Sequence, residues 1–89
     1  MAEGILTEPA YVVRLTDALR QKLPGAEVEH EQLRADRYRF VVTWPQFDAM
    51  EHPERQELVW DVVEHSLDPA DFMKVSMILT LGNEDLPQP

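Results

Sequence analysis

The sequence contains no cysteine and few glycines or serines among its 89 residues. The absence of cysteine excludes disulfides, zinc–thiolate sites and thiol catalysis. Gly4, Gly25 and Gly82 are isolated from one another, so neither common type of phosphate-binding glycine loop is present. Neither Ser66 nor Ser76 lies on a Gly-x-Ser-x-Gly turn of the kind that exposes a nucleophile. We therefore expect no enzyme of these types, and predict no catalytic residue and no cofactor.

Basic residues are also scarce. Eight Lys and Arg residues stand against seventeen Asp and Glu residues, and the formal net charge is −9. Between Pro45 and Asp71 the only cation is Arg55, among eight carboxylates. Because phosphate backbones are bound mainly by basic side chains, we expect no nucleic-acid partner. Two interpretations of the acidic segment remain open: a solvated helix face that aids solubility, or a docking surface for a basic partner.

Long apolar runs are missing as well. No stretch approaches the roughly 18–20 apolar residues that span a bilayer. The N-terminal Met-Ala-Glu-Gly lacks the basic region and the apolar run of a secretory signal. We expect one cytoplasmic domain over residues 1–89, with a core from about residue 8 to residue 82 and flexible termini at 1–6 and 83–89.

Apolar periodicity in the first half predicts a helix followed by a β-hairpin. The helix is expected from Glu8 to Leu23, after an N-cap at Thr7. Residues 26–32 and 37–44 then alternate in polarity and are joined by a polar turn at 33–36, which is typical of a hairpin. The residues expected on the inner face of the hairpin are Ala26, Val28, His30, Tyr38, Phe40, Val42 and Trp44.

The second half predicts one further helix and one further strand. Pro45 ends the hairpin, and Phe47 in the following turn is expected to anchor the core. A helix opens at His52-Pro53 and is broken at Asp68-Pro69. Residues 73–81 then alternate as a third strand, with the inner face expected to carry Val75, Met77 and Leu79.

The resulting order is α-β-β-α-β, which belongs to the α+β class. Connection rules predict a three-stranded mixed sheet with both helices packed on one face. The other face of the sheet should be wet, and is expected to carry Arg37, Arg39, Lys74 and the glutamates of the first strand.

The second helix carries the residues that most resemble a chemical site. Glu57, Asp61 and His65 are spaced by four and share one face, where they could offer metal ligands. A polar face in water is the normal state of an amphipathic helix, so no metal ligand is predicted. An enzyme assembled in an oligomer, with Asp61 and His65 as general acid and base, stays an alternative. Trp60 and Phe72 belong either to the core or, if exposed, to an interface.

Several segments resemble the BolA family, whose small proteins have a class II KH-like fold. The resemblance covers roughly residues 15–85 and rests on element order and on a few positions. Those positions are Arg39-Phe40 on the second strand, Phe47, the helix segment RQELVW (Arg55 to Trp60) and the last strand MKVSMILTL (Met73 to Leu81). It implies a non-catalytic protein-interaction or adaptor domain whose partner is a monothiol glutaredoxin.

The sequence departs from the family at the family's histidine positions. Many BolA proteins help to ligate a shared [2Fe–2S] cluster through histidine, whereas this chain has Arg39, Gln56 and Lys74 at those places. Cluster ligation needs a neutral imidazole or a thiolate, so no metal ligand is carried over. The residues expected to bind a partner are Arg55, Gln56, Trp60 and Lys74. The alternative function is a small acidic chaperone, or an antitoxin-like partner, of a basic protein.

Overall fold

The computed structural model describes residues 9–85, so the predicted N-cap at Thr7 and residues 1–8 and 86–89 lie outside the described residues. The elements in chain order are α1 (Ala10–Lys22), β1 (Glu27–Arg34), β2 (Arg37–Thr43), a 3-10 helix (Pro45–Ala49), α2 (His52–Ser66), α3 (Pro69–Phe72), β3 (Val75–Leu81) and a 3-10 helix (Asn83–Asp85). The predicted order α-β-β-α-β is confirmed, with the four-residue α3 inserted before the last strand.

The three strands form one mixed sheet in the order β1-β2-β3. β1 and β2 are antiparallel, and β3 lies parallel to β2. The hairpin turn contains only Ala35 and Asp36, because β1 continues to Arg34. The turn is therefore shorter than the predicted segment 33–36, and a register shift between Gln32 and Arg34 accommodates the extra residue.

The core lies between the sheet and the two long helices, which both pack on one face. Tyr38, Phe40 and Val42 of β2 point into it, as the alternating pattern predicts. Phe47 is fully buried, so the predicted anchor is confirmed. Burying a side chain of this size contributes about 1.5–3 kcal/mol, and α1 adds fully buried leucines at positions 15 and 19.

The predicted inner face of β3 is wrong beyond its first residue. Val75 is buried, but Met77 and Leu79 are 43% and 37% exposed on the outer face. Ile78 and Thr80 face the core instead. The cause is an irregularity in the pairing with β2, which skips one residue between Val75 and Met77. Because side chains alternate with a period of two, one extra residue exchanges the two faces of the strand.

The segment between α2 and β3 also differs from its prediction. Asp68 caps α3 by accepting a hydrogen bond from the Asp71 N–H at 2.9 Å, so residues 69–72 form a helical turn and the strand starts at Val75. Lys74 was expected on the outer sheet face. Its Nζ lies instead 5.4 Å from the centre of the Tyr11 ring of α1, on the helical side. The reason is that Lys74 belongs to the turn after α3 rather than to the strand, since its N–H donates to the Asp71 carbonyl at 2.9 Å.

The chain after β3 folds back against the 3-10 helix Pro45–Ala49. The Glu84 N–H donates to the Asp48 carboxylate at 3.1 Å, and the Gly82 N–H donates to the Asp85 carboxylate at 2.8 Å. A side chain at Gly82 would collide with Asp48, which explains the glycine at this close approach. Residues 83–85 thus form a short helix where a flexible tail was expected, and flexibility of the termini stays a prediction. Within residues 9–85, none of the helices has the length and apolar character needed to cross a membrane.

Candidate interaction site

The opening of α2 is held in a defined orientation by a capping box. The Glu51 N–H donates to the Glu54 side chain at 3.0 Å, and the Glu51 side chain accepts from the N–H of residue 54 in return. Pro53 occupies the first turn, where a missing N–H has no consequence for helical hydrogen bonding. This cap fixes the start of the helix, and Arg55 and Gln56 follow directly after it.

Arg55 is a buried cation, with 7% of its surface exposed. Its Nε donates to the Met50 carbonyl at 3.1 Å, and one terminal nitrogen donates to the Thr80 carbonyl at 3.4 Å. The same nitrogen lies 2.9 Å from the Asp85 carboxylate, and the guanidinium lies 5.7 Å from the centre of the Phe47 ring. Arg55 therefore connects α2 to β3 and to both 3-10 helices, and it presents little surface to a partner.

Asp85 completes the set of groups around this guanidinium. The pKa of its carboxyl is lowered from the ordinary value of 3.8, first by the hydrogen bond from the Gly82 N–H and then by the one from Arg55. Arg55 and Asp85 are thirty positions apart in the sequence. Asp85 was not among the residues that the sequence singled out, and no local pattern identifies it.

Gln56 joins α2 to the open edge of β3 and orients Trp60. Its Nε2 donates to the Ile78 carbonyl at 2.9 Å, and its Oε1 accepts from Trp60 Nε1 at 3.0 Å. The hydrogen bond to Ile78 and the one from Arg55 to the Thr80 carbonyl both cover carbonyls on the unpaired edge of β3. Without these partners, the carbonyls would be available for pairing with a strand of another chain. Gln56 thus works mainly inside the domain, and it fixes the position of the neighbouring indole.

Trp60 and Phe72 form a half-buried aromatic pair between α2 and α3. Their ring centres lie 5.5 Å apart, with 52° between the ring planes. Both rings pack against the core from one side and line a surface groove on the other. The remaining residues that line this groove are Glu54, Glu57, Leu58, Asp61 and Glu64. The pair therefore packs against the core and keeps an accessible surface, and a role in an interface stays a prediction.

Lys74 adjoins this group through α3. Phe72 of α3 contacts Trp60, while the preceding Asp71 lies 3.3 Å from Lys74 Nζ. Asp71 also lies 3.8 Å from a guanidinium nitrogen of Arg14. The structure thus brings Arg55, Gln56 and Trp60 onto one helix. It places Lys74 on the far side of a single short helical turn.

Tyr11 packs beneath Lys74 with its hydroxyl buried. Within residues 9–85 this hydroxyl has no hydrogen-bond partner. Burial raises the pKa of Tyr11, and the nearby Tyr38 and Asp71 raise it further. A neutral phenol under an ammonium group supplies packing and a cation–π contact, which explains the position of Lys74 beside α1.

The acidic cluster near the end of α2 differs from the predicted one. Asp61, Glu64 and His65 have side-chain ligand atoms within 4.8 Å of one another, whereas Glu57 lies outside the group. All three residues are exposed. His65 Nδ1 lies 2.8 Å from the Asp61 backbone carbonyl, and this contact, followed by the Asp61 carboxylate, raises the pKa of His65. The arrangement suits a protonated imidazole beside carboxylates, and exposed groups of this kind are common on helices without a metal.

Arg39 is the third position at which the family carries histidine. It lies on the outer face of the sheet and forms an ion pair with Glu31 across the β1–β2 ladder. A cross-strand pair of opposite charge supports strand register. Arg39 is therefore engaged within the sheet, away from the groove on α2.

Comparison with known proteins supports the fold assignment. No family model matches the sequence, and no curated protein matches it either. Among solved structures, BolA1 from Arabidopsis thaliana is similar to this chain with a TM-score of 0.68 and 16% sequence identity. The match covers 90% of this chain and 100% of that one. At this level of identity the likeness concerns the arrangement of the backbone, and it agrees with the element order and the mixed sheet described above. This chain has a BolA-like fold.

Proposed function

We propose that this domain is a non-catalytic protein-interaction or adaptor module of the BolA-like type, and that it binds a monothiol glutaredoxin without contributing a metal ligand. The observation that carries the proposal is the half-buried pair of Trp60 and Phe72 on a BolA-like fold. Rigid aromatic side chains with one accessible side are the residues that contribute most at protein interfaces. The proposed contact surface is centred on Trp60 and continues over α3 to Lys74.

The chemistry of the family's histidine positions supports the second half of the proposal. Iron–sulfur ligation requires a neutral imidazole or a thiolate. Arg39 and Lys74 carry cations that are engaged with Glu31 and Asp71, and the amide of Gln56 is engaged with β3 and Trp60. Each of the three side chains already has a partner inside the domain. A cluster held by a glutaredoxin would therefore keep its own ligands when this domain binds.

The roles of the four expected partner-binding residues divide accordingly. Trp60 and Lys74 are accessible enough to contact a partner directly. Gln56 holds the indole in place, and Arg55 is buried beneath the helix opening. We therefore assign Trp60 and Lys74 to the contact surface and Arg55 and Gln56 to its support.

The test is a titration of the isotope-labelled domain with a monothiol glutaredoxin, with and without its reconstituted cluster. NMR shifts report the contact surface, and visible absorption reports the cluster. We expect shifts at Trp60, Phe72 and Lys74, and a cluster spectrum that stays that of the glutaredoxin alone. Lys74→Ala should weaken binding, while Arg20→Ala, at an exposed arginine of α1 outside the groove, serves as the matched control.

Two results would contradict the proposal in different ways. A changed cluster spectrum on binding would show that this domain does supply a ligand. The absence of NMR shifts with both forms of the glutaredoxin would separate the fold from the proposed partner.

A further inference from the structure

The groove on the outer side of α2 has an aromatic floor and an acidic rim. Trp60, Phe72 and Leu58 supply its apolar surface. Its charged residues are all carboxylates, namely Glu54, Glu57, Asp61 and Glu64. No lysine or arginine is among the described residues that line it. The groove therefore combines an apolar contact area with a negative electrostatic potential.

The aromatic floor is held rigidly from beneath. Trp60 Nε1 donates to Gln56 at 3.0 Å, and Gln56 donates in turn to the Ile78 carbonyl of β3 at 2.9 Å. The indole is thus connected through one side chain to the sheet, and the Phe72 ring supports it from α3. A surface that is already ordered loses little conformational entropy when a partner binds.

The acidic rim follows one side of the helix. Positions 54, 57, 61 and 64 recur at intervals of three and four, which places them on the same side of α2. Ten positions separate the first from the last, which is about 15 Å along the helix axis. An extended peptide of roughly five residues covers that length. The rim therefore matches a short linear segment in size.

Two of these carboxylates form no ion pair, although one of them, Glu64, lies within 4.8 Å of the His65 ring. Glu54 is used in the helix cap, and Asp61 lies 3.4 Å from His65. Glu57 and Glu64 form no ion pair with another residue between positions 9 and 85. Like charges at this spacing destabilise a helix slightly, and a bound cation would relieve the repulsion.

We infer that this groove binds an extended, arginine- or lysine-containing segment of a partner protein, with its cationic side chains over Trp60 and Phe72 and against Glu57 and Glu64. This inference rests on the proposed interaction function and names the chemistry of the partner. A guanidinium suits the site because its planar face stacks on aromatic rings while its edge donates to carboxylates. The apolar stems of such side chains cover the remaining aromatic surface.

The charge of the groove argues against other occupants. A second copy of this chain seated groove to groove would place one acidic rim against the other, which costs binding free energy. An acidic or phosphorylated segment would meet the same repulsion. A basic segment is the occupant whose charge and shape both match.

The test uses the full chain and a capped peptide of about seven residues that alternates arginine with leucine and glycine. The chain has two tryptophans, so its NMR spectrum should contain two indole N–H signals. The Trp60 signal should shift on titration. The Trp44 signal should stay in place, because that indole donates to the Pro24 carbonyl at 2.9 Å, outside the groove. The same peptide with glutamine in place of arginine should produce no shift.

Two charge-reversed variants of equal net charge locate the binding. E57K/E64K removes the two unpaired carboxylates of the groove, and E27K/E29K makes the same charge change on the exposed outer face of β1. We expect E57K/E64K to weaken peptide binding about tenfold or more, and E27K/E29K to change it by about twofold or less. Thermal unfolding of both variants checks that each is folded.

Four outcomes would overturn the inference. The first is a Trp60 signal that stays in place up to about 1 mM peptide. The second is equal weakening by the two variants, which would mean long-range attraction without a defined site. The third is a Trp60 shift that appears on concentrating the protein alone, which would identify a second copy as the occupant. The fourth is a shift produced by magnesium or zinc salts that excludes the peptide, which would identify a cation site. If the peptide fails but the glutaredoxin binds, the interaction function stands and only the partner chemistry is wrong.

Discussion

The two sides of α2 carry polar residues that are adjacent in sequence and opposite in role. On the side facing β3, Arg55 and Gln56 have their donors engaged by backbone carbonyls of β3 and neighbouring segments. On the groove side, Glu57 and Glu64 project into solvent with no ion pair among residues 9–85. The comparison shows that polarity alone does not define a functional surface. Polar groups of the inner side stabilise the fold, and those of the outer side are available for recognition.

Removing Arg55, the buried cation on the side of α2 that faces β3, should have the largest effect on the stability of the fold. Arg55→Met keeps much of the apolar stem but leaves the Met50 and Thr80 carbonyls without their donor. We expect the free energy of unfolding to fall by about 2–4 kcal/mol, because buried acceptors lose a charged partner. Urea denaturation at pH 7 measures it, and Arg14→Met, at an exposed arginine, should change it by less than about 0.5 kcal/mol. Equal effects of the two variants would contradict the structural role of Arg55.

A smaller loss of stability is expected when Gln56, which links β3 to the Trp60 indole of the groove, is shortened. Gln56→Ala leaves the Ile78 carbonyl and the Trp60 indole without partners, which should cost about 1–2 kcal/mol. The Trp60 indole N–H signal should move, while that of Trp44 should keep its position. An unchanged Trp60 signal would mean that the indole is held by other contacts, and the floor of the groove would not depend on the inner side.

Acid should lower the stability of the fold by protonating Asp85, the carboxylate that pairs with Arg55. Because the pKa of Asp85 is lowered by folding, its carboxylate stabilises the folded state fully at pH values above the ordinary pKa of 3.8. This contribution is lost as the pH falls through the lower pKa of the folded state. Asp85→Asn should therefore be less stable than the wild type at pH 7, and the difference should shrink below about pH 4. Chemical denaturation at several pH values measures it. A difference that stays constant down to pH 2 would contradict the contact.

The smallest effect is expected on the groove side. Glu57→Gln combined with Glu64→Gln removes two exposed charges that form no ion pair among residues 9–85. The free energy of unfolding should change by no more than about 0.5 kcal/mol, with any change towards higher stability because repulsion along α2 is reduced. Thermal unfolding at low and high salt measures it. A clear loss of stability would show that these carboxylates also support the fold.

Local patterns predicted the elements better than the faces they present. The helix opening at His52-Pro53 and the buried Phe47 are confirmed, since caps and strong apolar positions act over a few residues. The prediction of which β3 side chains face the core is wrong after Val75. The reason is that the pairing irregularity depends on β2, a partner strand more than thirty residues away. The short α3 was also missed, although Asp68-Pro69 is a helix-opening pair as well as a helix-breaking one.

The sequence predicted four partner-binding residues, and their role in binding stays a prediction, but it did not predict which of them are engaged inside the domain. Arg55 lies on the buried side of α2 with Val59, Val62 and Val63, and a lone arginine at the spacing of buried valines is a signal of a buried, paired cation. Its partner Asp85 fell in a segment that composition assigned to a flexible tail. The groove needed Phe72 from α3 beside Trp60 from α2, and no spacing within either helix predicts that contact.

The sequence by itself determined the order of the elements, the hairpin, the acidic character of the second helix and the core anchors, because periodicity, capping and turn preferences are properties of neighbouring residues. Only the tertiary structure decided which polar residues of that helix are used internally. The pairs Arg55–Asp85 and Gln56–Ile78 join residues thirty and twenty-two positions apart, and they form only when α2 lies along the edge of β3. Burial makes unpaired polar groups costly, so the residues that reach those partners stabilise the fold and those that do not remain on the surface.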